Sequence, residues 1–266
     1  MTDWLPADVA PFAGISWWAI AGVFAAHAFG CFIRGAFGFG SNMPIVIITT
    51  FLLGAHHAIL LALLTTIVAQ SKLLPSGLKE ADWRVTRPLI AGLFIGTAFG
   101  TWLFTILSPE WLLLVLGVLL CAIVLMDSFK VLQRLTALVD LRSRRLAWGF
   151  AFIGGALGGL GGAGAFYFLV VYLKHACATA AALRGTNVVL SALTMITRMA
   201  VVLLAGRLTL SLLAEGLLLT PLVFAATWYG AHIFKTSTPA RFFAALQFLL
   251  LAGAAALIVK GIGRLA

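Results

Sequence analysis

Two arginines, Arg34 and Arg184, lie inside or beside long apolar runs and are the side chains that most clearly indicate a chemical function. A charged side chain at the centre of a membrane span costs about 2.5–3.5 kcal/mol on insertion scales, so each is a candidate functional group. A guanidinium offers a planar fork of N–H donors that matches oxyanions. The chemistry that these residues indicate is therefore the binding of a small anion.

Glycine-dense breaks interrupt the apolar runs at equivalent places in the two halves of the chain, at 35–40 and at 154–164. Broken backbone at membrane depth is tolerated only where protein or a water-filled cavity satisfies its polar groups. A helix that starts after such a break presents free N–H groups and a positive dipole end, which favour an anion. Paired breaks of this kind are typical of the binding site of a membrane transporter.

The predicted anion site combines both arginines with the residues around the two breaks and the start of the third segment of the second half. We expect the short helices to begin at Ser41 and Asn42 in the first half, and at Gly164 in the second. The predicted substrate-binding residues are Arg34, Gly38, Gly40, Ser41, Asn42, Gly161, Gly162, Gly164, Arg184, Thr186 and Asn187.

His27 and Glu215 are candidates for proton coupling. His27 shares a helix face with Arg34, but a buried neutral histidine bonded to a carbonyl is an equal alternative. Glu215 is the one carboxylate within a predicted span of the second half, and it can equally lie near the outer surface and pair near Arg207.

Snorkelling to an interface is the alternative reading of the arginines. It stays open for Arg34, if the first segment is a full span. We expect Arg198 to snorkel, because it is nine residues from Arg207 and near a predicted outer surface.

The composition describes a polytopic membrane protein. Of 266 residues, 62% are hydrophobic and 10% charged, and the mean hydropathy of +1.10 is too high for a soluble globule. The net charge of +10 comes mainly from short connections between apolar runs, which is the positive-inside pattern and does not indicate nucleic acid. The expected partners are a small anionic substrate and the lipid bilayer, and a homodimer is one option for the assembly.

Sequence motifs for metal, nucleotide or hydrolytic chemistry are not found, so we expect no metal, no cofactor and no enzymatic activity. The three cysteines, Cys31, Cys121 and Cys177, read as free buried thiols. A membrane-embedded enzyme with Cys31 as nucleophile and His27 as base remains an alternative, although no carboxylate is visible to orient the base.

The chain is an internal duplication. Gly35 and Gly38 stand 123 positions before Gly158 and Gly161, and Gly100 stands 130 positions before Gly230. Each half holds five apolar segments, the second of which is short of a full span. The segments lie near 16–33, 42–54, 57–75, 87–106 and 110–132, and then near 146–157, 164–174, 178–205, 209–233 and 239–262.

An odd number of segments makes the second copy enter the membrane from the opposite side. The predicted fold is an all-α membrane protein of two inverted repeats of five helical segments each, with short or broken helices at glycine-rich hairpins near the bilayer centre. Residues 1–15 form an extracytoplasmic N-terminal segment, 16–132 repeat 1, 133–145 a basic cytoplasmic linker and 146–266 repeat 2. The distribution of Lys and Arg supports this orientation.

The chain resembles the sulfite exporter TauE/SafE family in residues 35–40 followed by Pro44, in the glycine block 154–164, and in the stretch 183–186. The resemblance implies outward transport of small sulfur oxyanions or organosulfonates, such as sulfite or sulfoacetate, across the bacterial inner membrane. Ser41, Asn42 and Met43 before Pro44, and Tyr167 in the second block, depart from the family pattern where a ligand would lie. Transport or channelling of another small anion, such as a carboxylate or thiosulfate, is therefore the alternative.

Overall fold

The computed structural model describes residues 10–37, 41–128, 144–162, 169, 172–174, 176–233, 255, 257–260 and 262–263. Eight α-helices have described bounds, further short helical stretches lie among the described residues after 168, and no described residue lies in a β-strand. The eight helices are α1 (Trp17–Phe37), α2 (Asn42–Leu53), α3 (Ala55–Glu80), α4 (Trp83–Ile106), α5 (Pro109–Ser128), α6 (Arg144–Gly161), α7 (Ala180–Leu204) and α8 (Leu210–Ile233).

Five of the described helices are long and apolar enough to cross a membrane: α1, α3, α4, α7 and α8. Their outer faces carry large apolar side chains, including Phe99, Trp102, Ile196 and Leu217, that are exposed in the isolated chain. This pattern is expected of helices that face lipid tails instead of water. The all-helical, multi-pass membrane class predicted from the sequence is thus confirmed.

Helix boundaries follow the predicted segments with one informative difference. Helix α1 continues to Phe37, past the predicted end at residue 33, because the charge of Arg34 is buried with polar partners and does not end the helix at an interface. The predicted segments 239–262 and 164–174 and the linker 133–145 lie wholly or mostly outside the described residues.

Helices α1 and α2 form an antiparallel hairpin. Gly22 of α1 lies against Leu52 near the end of α2, whereas Gly30 lies against Ile45 and the carbonyl of Ser41 at its start. With 12 residues, α2 is about 18 Å long, which is too short to cross a bilayer. The hairpin therefore turns back inside the protein, and its turn falls at the first glycine break.

Glycines bring two further helix pairs into backbone contact. In the α4–α6 pair, an added Cβ at Gly96 would lie 2.1 Å from the carbonyl oxygen of Phe152, and one at Gly100 would lie 1.9 Å from that of Ala156. In the α1–α8 pair, a Cβ added at Gly35 or at Gly230 would lie 2.1 Å from a backbone carbonyl oxygen of the partner helix. Small residues at such spacing are the usual basis of close helix packing in membranes.

Helices α3 and α7 pack against each other and run antiparallel. Gly77 of α3 lies against Val188 of α7, and Gly185 lies against the backbone of Glu80 at the end of α3. The Thr186 hydroxyl accepts a 2.9 Å hydrogen bond from the backbone N–H of Asp82, just after α3. Residue numbers thus rise along one helix as they fall along the other.

Helix contacts repeat when the two halves of the chain are exchanged. The pair α1–α8 corresponds to α6–α4, the pair α3–α8 corresponds to α7–α4, and α3–α7 maps onto itself. This pattern agrees with the internal duplication read from the glycine positions. The helix of the first predicted segment in each half, α1 or α6, therefore packs on the helix of the fourth predicted segment in the other half, α8 or α4.

We expect Gly100→Ala to destabilise the protein, because its methyl group would overlap the Ala156 carbonyl and force α4 and α6 apart, at a cost of about 1–3 kcal/mol. Gly149→Ala is the matched control, since an added Cβ there meets nothing within 4 Å and alanine favours the helix. The midpoint of thermal unfolding in detergent measures both. A Gly100→Ala protein as stable as the control would contradict the close contact.

Candidate functional site

Arg34 is held in the protein interior by neutral partners. Its side chain is 2% exposed, near the end of α1. The guanidinium donates to the Gln70 side-chain oxygen through Nε, at 3.2 Å, and through Nη2. Nη1 donates to the Ser41 hydroxyl at 3.0 Å, and Nη2 also approaches the Met195 sulfur at 3.9 Å. Arg34 therefore joins α1, α2, α3 and α7 at one point.

Gln70 links the Arg34 guanidinium to helix α7. Its amide nitrogen donates to the backbone carbonyl of Val188 on α7 at 2.6 Å, while its oxygen accepts from Arg34. Both polar ends of the side chain are thus used. Gln70 orients the guanidinium without neutralising its charge.

The start of α2 has no side-chain cap. Ser41 occupies the N-cap position, but its hydroxyl accepts no hydrogen bond from the first turn of the helix. It instead accepts from Arg34 and donates to the Asn42 side-chain oxygen at 3.1 Å. The uncapped first N–H groups of a helix attract negative charge.

The two glycine breaks meet at this place. The Asn42 amide nitrogen donates to the carbonyl of Gly162, just after α6, at 2.5 Å. Gly162 has a φ of +63°, a left-handed backbone conformation that glycine adopts without a steric penalty. The start of α2 in the first half and the end of α6 in the second half are therefore in direct contact.

Arg198 is the second buried guanidinium at this meeting point. A Cβ added to Gly162 would lie 2.7 Å from Arg198 Nη1, so the guanidinium occupies the space that the missing side chain leaves. The side chain is 2% exposed, and its Nε and Nη2 atoms have no hydrogen-bond partner within the described part of the chain. The snorkelling expected of Arg198 from the sequence is wrong, because the residue faces the interior.

Carboxylates do not balance these charges. The chain has eight acidic residues, and none of them lies between positions 9 and 79 or between 141 and 214. Neither Arg34 nor Arg198 forms an ion pair with any described residue. Two cationic groups are therefore buried where the start of α2 meets the end of α6, without an acidic partner among the described residues.

Arg184 is not brought to this point. It is partly exposed near the start of α7, about 21 Å along the helix axis from Arg198, and it makes no hydrogen bond with the described residues. The hydroxyl of nearby Thr186 already accepts a hydrogen bond from the Asp82 backbone N–H, in the connection between α3 and α4. Asn187 is buried and its side-chain oxygen has no partner among the described groups.

The remaining predicted site glycines divide into two groups. Gly161 is buried at the end of α6, where an added Cβ would lie 2.5 Å from a Leu116 methyl carbon. Gly38, Gly40 and Gly164 lie outside the described residues.

His27 is buried within α1, and its Nδ1 lies 2.8 Å from the Val23 carbonyl oxygen. The bond to a backbone carbonyl anticipated in one alternative is thus present. Its Nε2 has no partner in the described ranges.

Glu215 lies elsewhere, at the end of the protein where α3 and α8 begin. Its carboxylate is hydrogen-bonded to His57 Nε2 and accepts a 3.0 Å hydrogen bond from the Phe12 backbone N–H. A cleft of about 530 Å³ opens beside this pair. Pairing near one end of the helices was one of the two alternatives for Glu215, but its partner is His57 rather than a group near Arg207.

The sequence predicts Arg184 as the anion-binding arginine of α7, whereas the arginine buried beside Gly162 is Arg198. The sequence signal for the burial of Arg198 is the spacing of polar residues: Ser191, Thr194 and Arg198 share one helix face, which a lipid-facing surface would not carry. Gln70 is one of several polar residues on the third segment of the first half. Its role depends on a partner 36 positions away, which sequence spacing does not reveal.

Comparison with known proteins gives one finding. A search of curated proteins and a search of solved structures returned no match. The family model described as "Sulfite exporter TauE/SafE" matches residues 23–257, a range that includes both glycine breaks and each of the helices α1 to α8 except the first residues of α1. The chain therefore belongs to the sulfite exporter TauE/SafE family.

Proposed function

We propose that this protein is a secondary transporter that exports small sulfur oxyanions or organosulfonates, such as sulfite or sulfoacetate, across the bacterial inner membrane. The observation that carries the proposal is the pair of buried guanidiniums, Arg34 and Arg198, without a carboxylate between them. Membership of the family supports the substrate class, and the two buried guanidiniums support a negatively charged substrate.

An unpaired buried charge is costly unless another group compensates for it. An oxyanion between the start of α2 and the end of α6 would compensate both arginines and accept hydrogen bonds from the open Nε and Nη2 atoms of Arg198. The uncapped start of α2 adds further donors and a favourable dipole. The anion site of the proposal therefore consists of Arg34, Ser41, Asn42, Gly162 and Arg198, and Arg184 is left out.

Alternating access is the proposed mechanism, with one inverted repeat rocking against the other. The antiparallel packing of α3 and α7 and the exchange of helix contacts between the halves support this inverted relation. The site lies where elements of both halves meet, so a relative rotation of the repeats would expose it to one side or the other.

Membrane potential is the proposed driving force. With the N-terminus outside, as the Lys and Arg distribution favours, an inside-negative potential contributes about 2.3 kcal/mol per charge per 100 mV to anion export. A coupled proton is then not required. His27 and Glu215 remain the candidates if one is used, and neither has a hydrogen bond to Arg34 or Arg198.

A channel for small anions is the second candidate, favoured by the absence of any requirement for a coupling ion. A transporter and a channel differ in two measurable properties of the flux. The flux through a transporter saturates with substrate concentration, and a transporter exchanges labelled substrate against unlabelled substrate without net flux, whereas a channel does neither.

Replacing either buried arginine should abolish transport. We expect Arg34→Ala and Arg198→Ala to lower sulfite or sulfoacetate flux into or out of proteoliposomes at least about tenfold, since each loses a charged hydrogen-bond donor to the anion, worth about 1.5–3 kcal/mol. Arg184→Ala is the matched control, because that arginine lies on the same helix as Arg198 but apart from the site. Monodisperse elution in detergent checks that each variant is folded. Normal flux in folded Arg34→Ala and Arg198→Ala proteins would refute the proposed site.

Two guanidiniums should also select for anion charge. We expect sulfoacetate, with two negative charges, to inhibit counterflow at a concentration roughly tenfold lower than methanesulfonate, with one, which corresponds to about 1.4 kcal/mol. Arg198→Lys keeps the charge and should keep part of this preference, whereas Arg198→Ala should lose it. Equal inhibition by both anions in the unmodified protein would show that only one of the arginines acts on the substrate.

A further inference from the structure

Three buried side chains on α7 carry polar atoms that have no hydrogen-bond partner in the described residues. These atoms are Asn187 Oδ1, Ser191 Oγ, and Nε and Nη2 of Arg198. All three side chains are almost fully enclosed by protein. Arg198 belongs to the proposed anion site, but the proposed function leaves the other two unexplained.

The three residues form a single column. Spacings of four and seven residues place them on one face of the helix, about 6 Å and then about 10 Å apart along its axis. The opposite face is apolar and faces outward, as the 66% exposed side chain of Ile196 shows. The column thus runs inside the protein while the same helix faces lipid on its other side.

The column leads from the end of α6 to one end of the molecule. Arg198 lies beside Gly162 at the end of α6, and Asn187 follows Thr186, which binds the backbone of Asp82 between α3 and α4. The positive-inside pattern assigns the connection between α3 and α4, with Lys79, Arg84 and Arg87 nearby, to the cytoplasmic side.

Unpaired buried polar atoms are uncommon because each costs free energy, and water commonly satisfies them. The neighbouring hydroxyl of Thr194 shows that the helix can satisfy such groups itself, since it donates to the Leu190 carbonyl at 3.0 Å. Ser191 could make the same type of bond to the carbonyl four residues earlier but does not. Its hydroxyl is therefore directed away from the helix backbone.

We infer that the Asn187, Ser191 and Arg198 face of α7, which is enclosed in the conformation described, becomes the wall of a hydrated passage when the two halves move, and that the anion reaches the Arg34–Arg198 site through this passage from the cytoplasmic end. This inference rests on the proposed function for the identity of the cargo. It adds the path that the anion takes to the site, and it assigns Asn187 and Ser191 to the lining of that path.

Cysteine accessibility tests the passage. In a protein with Cys31→Ala, Cys121→Ala and Cys177→Ala that still transports, Ser191→Cys and Asn187→Cys are introduced singly, and Ile196→Cys serves as the control on the lipid-facing side of the same helix. A membrane-impermeant, negatively charged methanethiosulfonate is added to inside-out membrane vesicles. We expect both test cysteines to react at least about tenfold faster than the control, because only a thiolate in contact with water reacts.

Serine and cysteine are close in size, so the Ser191→Cys protein should fold, and its elution in detergent verifies this. Reaction of Ser191→Cys no faster than that of Ile196→Cys would overturn the inference, as would reaction only in right-side-out vesicles. Loss of flux in the arginine variants together with unreactive column cysteines would leave the anion site standing without this passage. Reactive column cysteines together with normal flux in the arginine variants would keep the passage but refute the site.

Discussion

Uncompensated positive charge where the start of α2 meets the end of α6 is the constraint on which the arrangement of the interior depends. Arg34 and Arg198 are each 2% exposed and have no acidic partner among the described residues. The protein restrains the first with Gln70 and Ser41, both neutral. An acidic partner would satisfy the guanidinium permanently and remove its attraction for a ligand. Neutral partners fix its position and leave its charge available.

Glycine supplies the second requirement, which is close approach of helices around this charge. Gly96 and Gly100 let α4 contact the backbone of α6, and Gly35 and Gly230 do the same for α1 and α8. These pairs position the ends of α1 and α6, and therefore Arg34 and Gly162. Backbone contacts between small residues interlock less than large side chains do. The same feature that brings the start of α2 and the end of α6 together thus suits a mechanism in which the two halves move as bodies.

The sequence predicted the helices and the first half of the site better than the second. Apolar runs and the Ser41–Asn42 start of α2 follow from local composition, and Arg34 is adjacent to its glycine break. Arg198 lies far from the second break in sequence and reaches Gly162 only because α7 folds back past α6. Distance along the chain favoured Arg184, whereas burial favours Arg198. Depth within a bundle depends on helix tilt and neighbours, which hydropathy alone does not encode.

The contacts at the two ends of the bundle differ in kind, and the difference bears on access to the site. At the end where α3 and α8 begin, the Glu215 carboxylate is hydrogen-bonded to the Phe12 backbone N–H and to His57, which ties the N-terminal segment to both helices. Toward the other end, α7 presents Asn187 and Ser191 with polar atoms that no described group satisfies. Under the proposed alternating access, the end with the unsatisfied polar groups is the one at which the anion enters. The positive-inside pattern predicts that this end is cytoplasmic, because basic residues surround the connection between α3 and α4, and the difference between the two ends therefore agrees with the proposed export.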